Sequence, residues 1–345
     1  MRARPRTGPS ASTRGLAGVP APRSSCASSP TRLERCHGVK VSLIATVKDA
    51  AAHIGAFLDS VAAQTRPPDE IVIVDGGSAD GTWEILERAT GVLALSDPGS
   101  NIAWGRAAAI DAAAHDVIAV TDADCVLDPD WLERLLEPID RGADVSAGFY
   151  RPLASSFLQV CAAAVAVPEP DELRDGWMPS ARSIAFRRSA YLAAGGYPVW
   201  LDVGEDMYLN HRFLASGARM ELAPTAVVSW RVRPSLRATW RQYAGYAAGD
   251  AQAHMYRERH LWRFAAYAFA ALAVITRNRW LAALTAAGGI AYAARPIRRA
   301  WRRIRPGSPE RAGALVGVPA MMVFIDVAKM WGYLRGLASR KPEEA

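Results

Sequence analysis

Cysteine is scarce in this sequence, with four residues in 345: Cys26, Cys36, Cys125 and Cys161. None stands in C-x-x-C spacing or in the Cys/His spacing of a zinc site, which excludes a disulfide framework and a structural zinc and fits a reducing compartment. Residues 1–37 lack a continuous apolar run, so "RGLAGVPAPRSS" cannot serve as the hydrophobic core of a secretory signal. That segment is rich in Pro, Ser, Arg and Gly without hydrophobic period and reads as a disordered basic leader over 1–38. The central body also lacks a basic surplus. Residues 1–37 and 295–311 each carry seven Arg against one Glu, so a formal net charge of +7 leaves the remainder near −5. Such a body does not suit nucleic-acid binding, in which basic residues line the folded surface itself. What the sequence does have is 50% apolar residues over a length sufficient for one large domain and an accessory region.

Four compact runs rich in β-branched residues open the body: "VSLIATV" (41–47), "EIVIVD" (70–75), "GVLALS" (91–96) and "DVIAVTD" (116–122). Each except the last is followed by a helix-like segment, which predicts right-handed βαβ units and a mostly parallel central sheet. In "AAAHIGAFLDSVAAQ" the spacing puts Ile54, Leu58 and Val61 on one helix face, and "SADGTWEILERA" offers Ser78 or Asp80 as an N-cap. Ligands in such α/β sheets bind beyond the carboxyl ends of the strands, and acids stand there. Asp75 closes the second run before Gly76, Gly77 and Ser78, while Asp122 and Asp124 close the fourth. A single Asp at a strand end ordinarily forms a turn or caps a helix. Three at strand carboxyl ends are harder to read as turn formers alone, and strand alternation would aim Asp122 and Asp124 to one side.

The stretch from "VSLIATV" through "SVAAQTRPPDEIVIVDGGSADGT" resembles the opening of the family 2 glycosyltransferases, with the GT-A nucleotide-sugar-binding fold. "NIAWGRAAAIDAAAHDVIAVTDAD" is similar to the segment leading to that family's metal-binding D-x-D motif. "SARSIAFRRSAYLAAGGYP" and "GEDMYLNHRFLASG" resemble the segment before its catalytic acid pair and the pair itself. The resemblance runs from about Val41 to about Val232, four motifs in order.

It implies inverting, metal-dependent hexosyl transfer from a nucleotide diphosphate sugar to an acceptor hydroxyl. Asp124 would ligate Mg2+ or Mn2+, Asp122 would contact ribose or a metal-bound water, and Asp75 would contact the nucleoside. The family often has a second Asp after the last of these; Gly76 stands there instead. Arg106 is a candidate for a diphosphate or sugar contact, although an Arg on such a helix is ordinarily solvated. Asp206 aligns with the general base and Glu205 with its neighbour, although acids in a first helical turn are also favoured by the helix dipole. His211, in the same helix, reads as a packing residue.

Beyond "VVSWRVRPS", the amphipathic segment 236–260 interleaves Arg237, Arg241, Trp240, Tyr243 and Tyr246, and Arg241 is a candidate for the nucleotide-sugar diphosphate. The order Arg241, Gln242, Tyr243 departs from the processive "Q..RW" pattern and implies a non-processive enzyme. Residues 261–345 form an apolar helical region with short runs at 264–276 and 280–294, a longer one at 313–336 interrupted by Asp326 and Lys329, and a basic loop at 295–305. The runs suit a helical hairpin dipping into or crossing a bilayer, and the basic loop suits anionic lipid headgroups and a catalytic domain on the cytoplasmic face. The acceptor implied is a lipid-linked or cell-envelope glycan. Two alternatives are a nucleotidyltransferase, against which "ATVKDAAAH" lacks a Gly- and Lys/Arg-rich triphosphate loop, and a noncatalytic membrane scaffold, against which Asp124 and Asp206 stand intact.

Overall fold

The computed structural model describes residues 38–174 and 176–339; the basic leader and its two cysteines lie outside the described residues. In chain order the elements are β1 (Val41–Val47), α1 (Ile54–Ala62), β2 (Glu70–Asp75), α2 (Thr82–Arg88), β3 (Val92–Ser96), α3 (Ile102–Ala112), β4 (Val117–Val120) and β5 (Cys125–Leu127). These are followed by α4 (Trp131–Asp140), β6 (Val145–Leu153), α5 (Phe157–Ala166), β7 (Ile184–Arg187), α6 (Arg188–Ala193), α7 (Glu205–Ala215) and β8 (Met220–Arg231). Four helices complete the chain: α8 (Leu236–Gln252), α9 (Arg257–Thr276), α10 (Arg279–Arg303) and α11 (Glu310–Ala338).

The eight strands form one sheet in the order β3-β2-β1-β4-β7-β6-β8-β5. The half built by the βαβ units is parallel as expected, β1 pairing with β2 and β4, and β2 with β3. The other half is mixed, since β7 runs antiparallel to both β4 and β6, and β5 antiparallel to β8. Strand β1 is buried along nearly its whole length, as its run of Val, Leu and Ile requires at the centre of a sheet covered on both faces. Glu70 ties the parallel strands together at their entry, accepting from Ser42 Oγ at 2.6 Å and from Ala114 N at 2.8 Å.

Some local expectations shift. In α1 Phe57 is fully buried beside Ile54 and Val61, while Leu58 is only partly covered. The N-cap of α2 is Gly81, in the left-handed region; Asp80, one residue earlier, still accepts from Thr82 N at 3.1 Å. Strand β4 stops at Val120, so Asp122 and Asp124 lie on the turn beyond it rather than on a strand.

The C-terminal helices pack onto the same body. Helix α11 crosses α8 where Gly332 and Gly336 face the backbone of Ala244 and Ala248; a Cβ at either glycine would collide with those carbonyls. Among the described residues α11 is the one helix long and apolar enough to cross a bilayer by length and composition. Helices α9 and α10 form a hairpin whose large apolar side chains are exposed, among them Trp262, Val274, Ile275, Trp280, Leu284 and Ile290. The segment expected as a basic loop over 295–305 is instead helical to Arg303. Its arginines already have protein partners: Arg299 pairs with Glu172 at 2.6 Å, Arg302 with Asp171 at 3.0 Å and Arg303 with Glu169 at 2.9 Å. These pairs hold the helix in register against the turn at Pro170–Glu172 and leave less of its charge for lipid headgroups.

Candidate active site

The carboxyl ends of β1 and β4, the start of α7 and one face of α8 enclose a cavity of about 1520 Å³. Asp122, Asp124, Glu205, Asp206 and Arg106 all line it. Two acid pairs remote in sequence therefore meet in one cleft.

Arg106 joins them. Helix α3 lies close on the sheet because Gly105 faces Thr46, whose Cγ2 would be 3.1 Å from an added Cβ. The neighbouring Arg106 is thereby carried into the interior, 2% exposed. One guanidinium nitrogen donates to Asp122 Oδ1 at 2.6 Å and another donates to Glu205 Oε1. Burial alone would lower the arginine's pKa, but the Asp122 and Glu205 carboxylates more than reverse it and raise it. The expectation of a solvated helix Arg is overturned: a buried guanidinium needs partners, and two acids supply them.

The second oxygen of Asp122 lies 3.6 Å from Arg182 Nε. Arg182 itself is stacked between aromatic faces, 4.6 Å from the Trp230 ring centroid and 5.3 Å from that of Tyr150. Burial would push the Asp122 pKa up, yet Arg106 and Arg182 together hold it below its usual value. Asp124 is placed differently. Its side chain is 29% exposed into the cavity and its nearest cation, Arg233, is 3.9 Å away. Burial first, and the Asp122 charge second, push its pKa up. An anion crowded by a like charge at an open cavity wall fits a hard divalent cation, which prefers carboxylate oxygen. Among the described residues no group of three or more His, Cys, Asp or Glu side chains converges as a ready-made metal cage. A cation at Asp124 would take its other oxygens from a diphosphate and water, as Mg2+ commonly does.

Glu205 and Asp206 open α7 after Gly204, whose φ of 91° demands glycine. Glu205 is buried, and desolvation outweighs Arg106 to push its pKa up to about 7. Asp206 is half-buried, its Oδ1 accepting from Met207 N at 2.8 Å and its Oδ2 from Ala181 N at 3.2 Å.

Asp75 stands behind the cavity wall, paired in register with Val47 at the end of β1. Its Oδ1 accepts from Gly77 N at 2.8 Å and Ser78 N at 2.7 Å, while its buried Oδ2 has no partner. Arg241 is exposed on α8 and does not line the cavity, because the face of α8 turned to it carries Gln242, Tyr243, Tyr246 and Asp250. His211 packs against Tyr256 with ring centroids 5.3 Å apart, and it too is outside the cavity lining. Sequence reading passed over Arg182, Tyr150 and Trp230. Arg182 lies within the quoted "SARSIAF" stretch, but nothing in spacing alone sets it against a strand-end Asp 60 residues away.

Residues 42–155 match the family model described as glycosyl transferase family 2. The chain is 29% identical over 221 residues to the succinoglycan biosynthesis protein ExoA of Rhizobium meliloti, covering 59% of this chain and 66% of that protein. It is 27% identical over 161 residues to the glucosyl-dolichyl phosphate glucuronosyltransferase of Haloferax volcanii, covering 41% and 49% respectively. The matched stretch thus spans from about half to just under two thirds of these two relatives. Among solved structures, the mannosyltransferase PcManGT from Pyrobaculum calidifontis in complex with GDP-Man and Mn2+ is similar at 21% identity and a TM-score of 0.49, covering 88% of this chain and 87% of that one. GalNAc-T7 with UDP, GalNAc and Mn2+ is similar at 15% identity and a TM-score of 0.47, covering 61% and 47%.

Proposed function

We propose that this chain, whose residues 42–155 match the glycosyl transferase family 2 model, is a metal-dependent, inverting and non-processive enzyme that moves a hexosyl group from a nucleotide diphosphate sugar to an acceptor hydroxyl. The observation that carries the reading is the convergence of Asp122, Asp124, Glu205 and Asp206 in one cavity, with Arg106 clamped between the pairs.

In this reading Asp206 is the general base. Two backbone N–H groups fix its carboxylate at the start of α7, where it lines the cavity and can accept a proton. It takes the proton of the acceptor hydroxyl as that oxygen bonds to the anomeric carbon. The bond from the anomeric carbon to the donor phosphate oxygen breaks on the opposite face, and the nucleoside diphosphate leaves with the electron pair, inverting the centre. A divalent cation bound at Asp124 would supply counter-charge to that leaving group. Arg106 and Arg182 hold Asp122 in place, and Glu205 holds Arg106 from the other side. Asp75, buried behind the cavity wall, holds the Gly77–Ser78 turn through its Oδ1 and does not face the cavity.

The acceptor in this reading is a lipid-linked or cell-envelope glycan presented at a membrane. Supporting it are the exposed apolar faces of the α9–α10 hairpin and the length of α11. The test is titration of UDP- and GDP-sugars with Mn2+ or with a chelator, read by thermal shift, since a ligand that binds the folded state raises apparent stability. A metal-dependent shift with one donor class supports the reading; no shift with any donor contradicts it.

A further inference from the structure

The cavity continues past the catalytic carboxylates into the helical bundle, where Lys329 and Arg259 line its wall. Neither participates in the transfer step described above. Lys329 belongs to α11, the apolar helix long enough to span a bilayer, yet its ammonium turns inward and lies 5.2 Å from the centroid of the Tyr243 ring. A lysine in such a helix is retained where it meets a ligand or a partner.

The acids nearby are already engaged. Asp250 is 2.9 Å from His260 Nε2, and Asp326 accepts from Arg263 Nε at 2.7 Å and from Tyr267 Oη at 3.2 Å. Arg259 lies over the Tyr256 ring, 4.4 Å from its centroid, and has no ion pair among the described residues. The same tyrosine lines the cavity together with Asp206. It therefore marks a continuous wall from the proposed base to the cationic end. Tyr246 joins the path from the other side, 5.8 Å from Tyr243.

Resting on the glycosyl-transfer reading, we infer that Lys329 and Arg259 form a subsite for the phosphate of an anionic acceptor, seated on the Tyr243 and Tyr256 rings while the acceptor hydroxyl reaches Asp206. The geometry supplies what such a ligand needs: two cations without carboxylate partners, aromatic faces for a sugar or prenyl portion, and a position next to helices with exposed apolar sides. A phosphate on a prenyl chain and a soluble phosphorylated glycan share this chemistry.

The experiment uses the full chain in neutral detergent, titrated calorimetrically with farnesyl phosphate, farnesol and inorganic pyrophosphate. Farnesyl phosphate binds and farnesol does not. Lys329→Gln and Arg259→Gln each weaken phosphate binding by about tenfold or more, as loss of a charge-assisted contact does. Arg241→Gln, an exposed cation outside the cavity, leaves it unchanged. Pyrophosphate binding as tightly as farnesyl phosphate supports the subsite and assigns it to soluble phosphates; preference for farnesyl phosphate supports it and assigns it to a lipid. Absence of binding by either phosphate probe overturns the inference, as do affinities unchanged in both variants. Arg259 is exposed, so its variant tests the subsite even where Lys329→Gln does not fold. Donor binding by the wild-type protein is read separately with UDP- and GDP-sugars, so failure there strikes the transfer reading and not the phosphate result.

Discussion

Arg106 and Glu205, 99 residues apart in the chain, meet in a buried ion pair that couples the helix leading to the first acid pair with the helix bearing the second. The same guanidinium reaches Asp122, so displacement of either acid is felt by the other.

Replacing Arg106 with Met leaves Glu205 without its cation and Asp122 with Arg182 alone, in a buried site. Breaking one side of a buried charge cluster costs roughly 3–5 kcal/mol, and the midpoint of urea unfolding falls accordingly. Glu205→Gln combined with Arg106→Met recovers part of that loss, because one of the stranded charges is removed with its partner. A double-mutant cycle by equilibrium unfolding measures the coupling.

Glu205 also sets a pH dependence. Its carboxyl has a folded pKa of about 7 against an ordinary value of 4.5, so between those values the folded state binds more protons than the unfolded state. Stability from this group is present below about pH 4.5 and is lost as pH rises through 7, a fall on the order of 3 kcal/mol. Unfolding free energies from pH 5 to 8 show this downward slope in the wild type and a flatter profile in Glu205→Gln.

Asp124→Asn removes the more weakly paired carboxylate of the D-x-D turn, whose nearest cation, Arg233, is 3.9 Å away against 2.6 Å from Arg106 to Asp122. Metal-dependent donor binding is lost or weakened by at least about a hundredfold, as loss of a charged metal ligand entails, while unfolding stability changes little. Thermal shift with a nucleotide sugar, with and without Mn2+, reads both quantities.

Gly249 allows α8 to lie against the loop before the α7 acids, its missing Cβ leaving room for the Val203 carbonyl and the nitrogen of Gly204. Gly249→Ala pushes on that loop and costs about 1–3 kcal/mol of stability by overpacking. Because Gly204 precedes Glu205 and Asp206, turnover falls more than donor affinity does. Steady-state kcat and donor KM, measured separately, read this split.

The parallel half of the sheet was legible because β1, β2 and β3 are short apolar runs separated by amphipathic helices, and their ends match to within a residue. The mixed half was not. Strand β7 is the four-residue run Ile184–Arg187, whose antiparallel pairing with β4 and β6 depends on long-range register. Asp75, Asp122 and Asp124 stood out at strand ends, whereas Glu205 and Asp206, at a helix start where acids are ordinary, stood out only through the resemblance to family 2 glycosyltransferases. The burial of Arg106 did not, since a helix with charged and small residues looks solvated until Gly105 is seen against Thr46. Arg241 failed for the converse reason: aromatic and cationic residues at helical spacing do not reveal which face turns inward. The stretch 295–305 was read as a loop from its charge, and it is helical to Arg303, with ion pairs to Glu169, Asp171 and Glu172.

The central claim, that Asp206 is the base of a transfer site whose donor half is built around Asp124, is tested most directly by Asp206→Asn assayed for donor binding and sugar transfer side by side. The account predicts donor affinity within about threefold of wild type and turnover reduced by a factor of about 10² or more, the contribution of a positioned general base. Transfer at the wild-type rate in Asp206→Asn would contradict it.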